Sequence, residues 1–194
     1  MALSDPSIFD NLRVVLEGAV YDLDLEGEAL VTSRSDRVDL AAMARHYTIR
    51  FVRRTEGDGR RETGPQAAFR TEAAIHLASG LADLAGEKLE ADFGRRPGCE
   101  IWIEFSSDLS ALANLLAVSE RWGALLDRLW GEGTAVRHKA CEEWDHPGGR
   151  PARRRLTSSV LFRRTIDERQ IDDLPELVGH VLRTLEELEG LPGN

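Results

Sequence analysis

Residues 99–105 read Cys-Glu-Ile-Trp-Ile-Glu-Phe, and from position 100 onward every second residue is apolar while Glu, Trp and Glu fill the positions between. Because successive side chains of a β-strand point to opposite faces, this pattern predicts a half-buried strand. Its buried face carries Ile101, Ile103 and Phe105. Its other face carries Glu100, Trp102 and Glu104, so a large aromatic ring stands between two carboxylates. We therefore expect that second face to be more than a solvated surface.

Further strands and helices are predicted on both sides of this segment. β-Branched and aromatic residues favour strands over residues 12–22, 29–32, 47–53, 134–144 and 154–166. Capping residues and apolar periodicity favour helices over residues 36–44, 66–91, 109–129 and 174–188. The last helix has the clearest pattern, since its leucines and valines recur at i, i+3, i+4 and i+7 after Asp172 or Asp173 and before Gly190.

Turn residues predict two hairpins. Glu26-Gly27-Glu28 separates the first two predicted strands, and Asp145-His146-Pro147-Gly148-Gly149 separates the last two. The regular strand–helix alternation of a doubly wound sheet is absent. We predict an α+β fold, in which a mixed or antiparallel sheet of two hairpins and single strands packs with three or four helices.

The chain length fits one domain. Its 194 residues (21.6 kDa) include 42% hydrophobic residues, enough for a substantial core without disulfides or a structural metal. We predict a single domain over residues 1–194. A polar, glycine-rich stretch at 55–64 shows no periodicity and is predicted to form a flexible internal loop.

Charge and composition restrict the classes of partner. The net charge is −9, from 25 basic and 34 acidic residues, which makes nucleic acids and acidic membranes unlikely general partners. No stretch approaches the roughly 20 apolar residues of a membrane span, and no signal peptide is recognisable at the start. Two isolated cysteines, Cys99 and Cys141, indicate free thiols and a cytoplasmic location. All basic residues except Lys88 and Lys139 are arginine, which indicates a GC-rich bacterial genome.

Catalytic motifs are missing. The sequence has no phosphate-binding loop, no G-x-G-x-x-G, no H-E-x-x-H, no C-x-x-C and no G-x-S-x-G. This absence argues against the common enzyme classes that carry these motifs, not against enzymes in general, and we expect a protein without a cofactor that is not an enzyme.

One alternative is a divalent-metal enzyme acting on a phosphate-containing substrate. Alternate carboxylates at Asp22 and Asp24, joined in space by Glu100 and Glu104, would offer Mg²⁺ the oxygen ligands that it prefers. The competing interpretation places these charges on solvated surfaces. The metal site requires Asp22 and Asp24 to lie close to Glu100 and Glu104 in the folded chain.

A second alternative is an anion or nucleic-acid binding module. One stretch free of acidic residues in the second hairpin is rich in arginines, which form bidentate contacts with phosphate and carboxylate. Its arginines are Arg150, Arg153, Arg154, Arg155, Arg163 and Arg164. Pairing with the surplus carboxylates is the competing interpretation.

Aromatic and histidine residues complete the candidates. Trp102 and Trp144 lie among charges on predicted strands, as interface residues often do. Cys141, His138 and His146 are of the residue types that bind zinc, but their spacing matches no common zinc site. The other histidines, His46, His76 and His180, lie in or beside predicted helices, where we expect ordinary packing. The sequence as a whole favours a non-enzymatic module that binds a protein partner or forms a homo-oligomer.

Overall fold

The computed structural model describes residues 7–54, 70–89, 96–109, 114–144 and 153–191. The predicted flexible loop at 55–64 lies outside these residues. Within them the chain forms four α-helices and six strands. The helices are α1 (Ile8–Glu26), α2 (Leu81–Leu89), α3 (Leu115–Trp130) and α4 (Leu174–Glu189). The strands are β1 (Ala29–Asp39), β2 (Ala44–Arg53), β3 (Glu72–Ser79), β4 (Glu100–Asp108), β5 (Thr134–Glu143) and β6 (Arg153–Phe162).

The six strands form one antiparallel sheet in the order β1-β2-β3-β4-β6-β5. Hairpins β1–β2 and β5–β6 form its two ends, and the single strands β3 and β4 join them in the middle. The predicted α+β fold class is therefore confirmed, with the antiparallel form of the sheet and four helices.

The helices cover one face of the sheet. Helix α1 packs on β1 and β3, α4 on β2 and β3, and α3 on β5 and β6. In the central strands β2, β3, β4 and β6, the side chains that point toward these helices are buried, as Tyr47, Ile49 and Phe51 of β2 show. The opposite face carries the alternate side chains, and we call it the open face.

The predicted strand over 12–22 is wrong, because these residues belong to α1. Valines and a tyrosine favour a strand locally, yet the buried side chains recur at helical spacing: Phe9, Leu12, Leu16 and Val20. The helix begins at a capping box between Ser7 and Asp10 and ends at Gly27, whose φ of 81° suits glycine. The first hairpin therefore consists of β1 and β2.

Two predicted helices are also wrong. The segment 36–44 continues β1 to Asp39 and then turns into β2, with the Asp39 side chain accepting hydrogen bonds from two turn amides. Residues 72–79, within the predicted helix 66–91, form the central strand β3, and only Leu81–Leu89 is helical. Alanine favours helices intrinsically, but here small side chains fill a crowded central strand, so tertiary packing overrides propensity.

The second half of the chain follows the prediction closely. Strand β4 contains the alternating segment 100–105, β5 and β6 form the second hairpin, and α4 is the predicted last helix. Helix α3 begins later than expected. Asn114 caps it by accepting hydrogen bonds from two backbone amides, whereas Asp108 ends β4.

Substitutions in α1 distinguish the helix from the predicted strand. A strand would place Val14 and Leu16 on one face, whereas in the helix Leu16 is fully buried and Val14 is 58% exposed. Leu16→Ala should lower the free energy of unfolding by about 2–5 kcal/mol, since it empties a packed position. The control Val14→Ala should change it by less than about 0.5 kcal/mol. Urea unfolding measures both values, and equal losses would contradict the helical assignment.

Candidate functional site

The centre of the open face carries a cluster of three rings. His46 on β2, His76 on β3 and Trp102 on β4 lie with ring centroids 4.7–5.3 Å apart. The indole of Trp102 is parallel to the imidazole of His76, with 1° between their planes, and it also stacks on His46. Trp102 lies directly opposite His76 in the β3–β4 pairing, so sheet register builds this contact.

Polar atoms connect the two imidazoles to their neighbours. Nε2 of His46 and Nδ1 of His76 are 3.2 Å apart, and the Thr48 hydroxyl lies 3.4 Å from the former and 3.1 Å from the latter. The second ring nitrogen of His76, Nε2, lies 3.2 Å from Oε2 of Glu104. This last approach is oblique to the N–H direction, so its attraction is mainly electrostatic. We call these five residues the histidine cluster: His46, Thr48, His76, Trp102 and Glu104.

The electrostatics of the cluster favour a carboxylate and neutral imidazole. The contact with His76 holds the pKa of Glu104 below its ordinary value, against the opposing effect of burial, and Arg50 acts in the same direction. Burial lowers the pKa of His46, and the proximity of His76 and Arg37 lowers it further. Such a neutral imidazole can donate one proton, accept another, or ligate a metal ion.

A cleft adjoins the histidine cluster where β4 and β6 meet the chain after β6. Its volume is about 600 Å³, within the range of small-molecule sites. Trp102 forms part of its wall, so one aromatic ring belongs to both the cluster and the cleft. The other lining residues are Glu100, Ile101, Leu161, Phe162, Arg163, Arg164 and Thr165.

The two tryptophans proposed for an interface lie in different surroundings. Trp102 is half-buried at the centre of the open face, with its ring held by two histidines. Trp144 follows the end of β5 and is 59% exposed. Only Trp102 is therefore part of an organised constellation among the described residues.

The structure does not bring the four carboxylates of the magnesium hypothesis together. Asp22 and Asp24 lie near the end of α1, where Asp24 pairs with Arg54. Glu100 and Glu104 project from β4 on the opposite, open face. Because the sheet backbone separates the two pairs, they cannot share one ion.

The arginines are likewise divided. Arg150 lies outside the described residues. At one end of β6, Arg153 pairs with Asp108 and Arg154 with Glu142, while Arg155 is exposed. At the other end, Arg163 and Arg164 line the cleft. Eight residues of extended chain, about 26 Å, separate the two groups, so they form no common anion site.

The zinc-ligand residue types of the second hairpin do not converge either. His138 points toward α3 and bonds the Ser158 hydroxyl at 2.8 Å, while Cys141 is exposed and free. Cys99 is free and buried, and burial raises the pKa of its thiol to about 12. His146 lies outside the described residues.

The sequence alone does not reveal the histidine cluster as a unit, since its local pattern places His76 in a helix and gives His46 no role beyond ordinary packing. The signal available was alternation: Glu72–Ser79 places Ala73, Ile75 and Leu77 on one face and His76 on the other. That signal locates each histidine on a face, but pairing between distant strands is needed to join them.

The described part of the chain was compared with the patterns of membrane spans and metal sites, and the whole chain with known proteins. None of its helices is long and apolar enough to cross a membrane. No group of three or more His, Cys, Asp or Glu side chains within the described ranges is placed to hold a metal ion. Comparison with protein-family models, curated proteins and solved structures finds no match to this chain.

The lowered pKa of Glu104 predicts a specific pH dependence. A depressed carboxyl pKa adds stability above its ordinary value of 4.5, and that stability is lost as the pH falls through the lowered value. Glu104→Gln should therefore unfold at a lower temperature than the unchanged protein at pH 7. The gap should shrink as the pH falls below 4.5, in thermal melts followed by circular dichroism.

The matched control is Glu100→Gln, since Glu100 lies on the same strand face but is exposed. Its melting temperature should differ little from that of the unchanged protein across the pH range. If the difference in melting temperature between Glu104→Gln and the unchanged protein stayed constant down to strongly acidic pH, the assigned electrostatics would be contradicted.

Proposed function

We propose that this protein is a non-enzymatic bacterial binding module that self-associates through the open face of its sheet. The observation that carries the proposal is the histidine cluster, in which two imidazoles stack on Trp102 at the centre of the face that α1, α3 and α4 leave uncovered. Rigid aromatic side chains near the centre of a surface are typical anchors of protein interfaces. The two free cysteines suit a reducing cytoplasm.

The edges of the sheet are poor alternatives to its face. Strand β1 contains an irregularity between Val31 and Ser33 and is largely exposed and polar. Strand β5 is exposed over most of its length and carries Arg137, Lys139 and Glu142. Bulges and charges on edge strands oppose strand-to-strand association, so association through the face is favoured.

The dimensions of the open face suit a protein partner. Six strands spaced about 4.8 Å apart, each roughly 30 Å long, give a face on the order of 700 Å². A typical stable interface buries about 800 Å² on each partner. The face is therefore of the same order as one side of a typical stable interface.

The charges of the open face also favour protein over nucleic acid. Helices α1 and α4 have many more acidic than basic residues. The open face instead intersperses both signs, with Arg50 paired to Glu72 at its centre and basic Arg137 and Lys139 toward one side. Nucleic-acid binding would require a continuous basic surface, whereas protein interfaces combine both charges.

Removal of the central ring tests this proposal. Trp102→Ala should raise the dissociation constant of self-association at least tenfold, because central aromatic anchors contribute about 2 kcal/mol or more. Sedimentation velocity over a range of protein concentrations measures the constant. The matched control, Trp144→Ala, removes an exposed tryptophan outside the cluster and should leave the constant unchanged. A protein that stays monomeric at all concentrations would contradict the proposal, as would equal effects of the two substitutions.

A second candidate function is anion binding in the cleft. Arg163 and Arg164 line it beside the ring of Trp102, and neither has an ion pair among the described residues. Guanidinium groups beside an aromatic wall suit a planar carboxylate, which would stack on Trp102 and bond to arginine.

Benzoate is a suitable probe for this second function. It should raise the melting temperature of the unchanged protein, since a ligand that binds only the folded state stabilises it. The increase should be smaller with Arg163→Ala and unchanged with Arg153→Ala, an arginine at the far end of the same strand. No increase for the unchanged protein would exclude the anion site.

A further inference from the structure

We infer that His46, His76 and Thr48 form a binding site for one divalent transition-metal ion of the zinc type. The inference goes beyond the proposed self-association and does not depend on it. It rests on three atoms that converge on the open face: Nε2 of His46, Nδ1 of His76 and the Thr48 hydroxyl oxygen.

The first step concerns the proton on His76. Glu104 lies 3.2 Å from its Nε2, and a carboxylate at that position favours the tautomer with hydrogen on Nε2. Nδ1 then carries the lone pair, which accepts a hydrogen bond from His46 or Thr48 and which a metal ion would take in place of that proton donor. A histidine that ligates a metal usually has its other nitrogen oriented by a carboxylate, and Glu104 occupies that position, where it attracts Nε2 electrostatically. Glu104 is thus a positioning residue for the site.

The second step is the geometry of the three atoms. Their mutual separations are 3.2, 3.1 and 3.4 Å, which makes a nearly equilateral triangle. A tetrahedral ion bound at about 2.0–2.1 Å holds its ligand atoms roughly 3.3–3.4 Å apart. A point about 2 Å from all three atoms therefore lies just outside their plane. The triangle matches one face of a zinc coordination tetrahedron.

The ligand types identify the class of ion. Two imidazole nitrogens favour Zn²⁺, Cu²⁺, Ni²⁺ or Co²⁺ over Mg²⁺ and Ca²⁺, which require mainly oxygen ligands. The neutral hydroxyl is a weak third ligand, and water can fill the fourth position because His46 and Thr48 are only half-buried. The site therefore resembles an exchangeable metal site more than a closed structural one.

The indole ring of Trp102 forms one wall of the proposed metal site. Its indole stacks on both imidazoles, which fixes their orientation and shields one side of the pair from water. An apolar wall of this kind strengthens metal binding by restricting how the ligands and solvent can move.

The test is titration of the full-length protein with Zn²⁺ by isothermal calorimetry, and with Co²⁺ by visible absorption. One ion should bind each chain, and Co²⁺ should give the absorption of a tetrahedral complex. His46→Gln should weaken binding at least about tenfold, and Glu104→Gln by about tenfold through the orientation of His76. Thr48→Val, which keeps the shape of the side chain, should also weaken it.

The matched control is His138→Gln, which removes a histidine that bonds Ser158 outside the cluster and should leave the affinity unchanged. His46 is suited to the test because it is half-buried, and circular dichroism verifies that each variant is folded. Absence of binding to the unchanged protein, or equal binding to His46→Gln, would overturn the inference. Sedimentation velocity without added metal measures self-association independently, so a failure of metal binding is distinguished from a failure of self-association.

Discussion

Antiparallel pairing of β3 with β2 and β4 is the constraint on which the rest of the structure depends. In this register His76 lies opposite Thr48 on one side and opposite Trp102 on the other. A shift of one residue in either pairing would turn these side chains to opposite faces of the sheet. The histidine cluster is therefore fixed by the backbone ladder of the central strands, which are also among the most buried parts of the chain.

The helices pack on one face of the sheet, which leaves the histidine cluster on the opposite face. Helices α1, α3 and α4 bury the apolar side chains on one face of the central strands, and this burial drives folding. The open face carries charges of both signs, hydroxyl groups and the ring of Trp102. A rigid, polar surface then results from the same pattern that builds the core. Self-association and metal binding are the two uses that we propose for this surface, and each has its own test.

The sequence allows the fold class and the β4 face to be predicted, because alternation in 99–105 is a local signal that burial of one face enforces. Helix α1 is harder to predict: its β-branched residues favour a strand over a short window, while its four core positions are visible only across about three turns. Strand β3 was missed because alanine favours helices in isolation. Trp102 and Glu104 were identified as candidates, but His46 and His76 join them only through pairing between distant strands, which no local pattern encodes.

The central claim is that the open face, and not the helix layer, forms the protein's interface. Carbene labelling of the unchanged protein, read residue by residue by mass spectrometry at low and high concentration, tests it most directly. The account predicts that Trp102 becomes protected at high concentration, while the exposed side chains Val14 and Tyr21 of α1 keep their labelling. Protection of α1 with Trp102 unchanged would contradict it, and would place the interface on the helix layer.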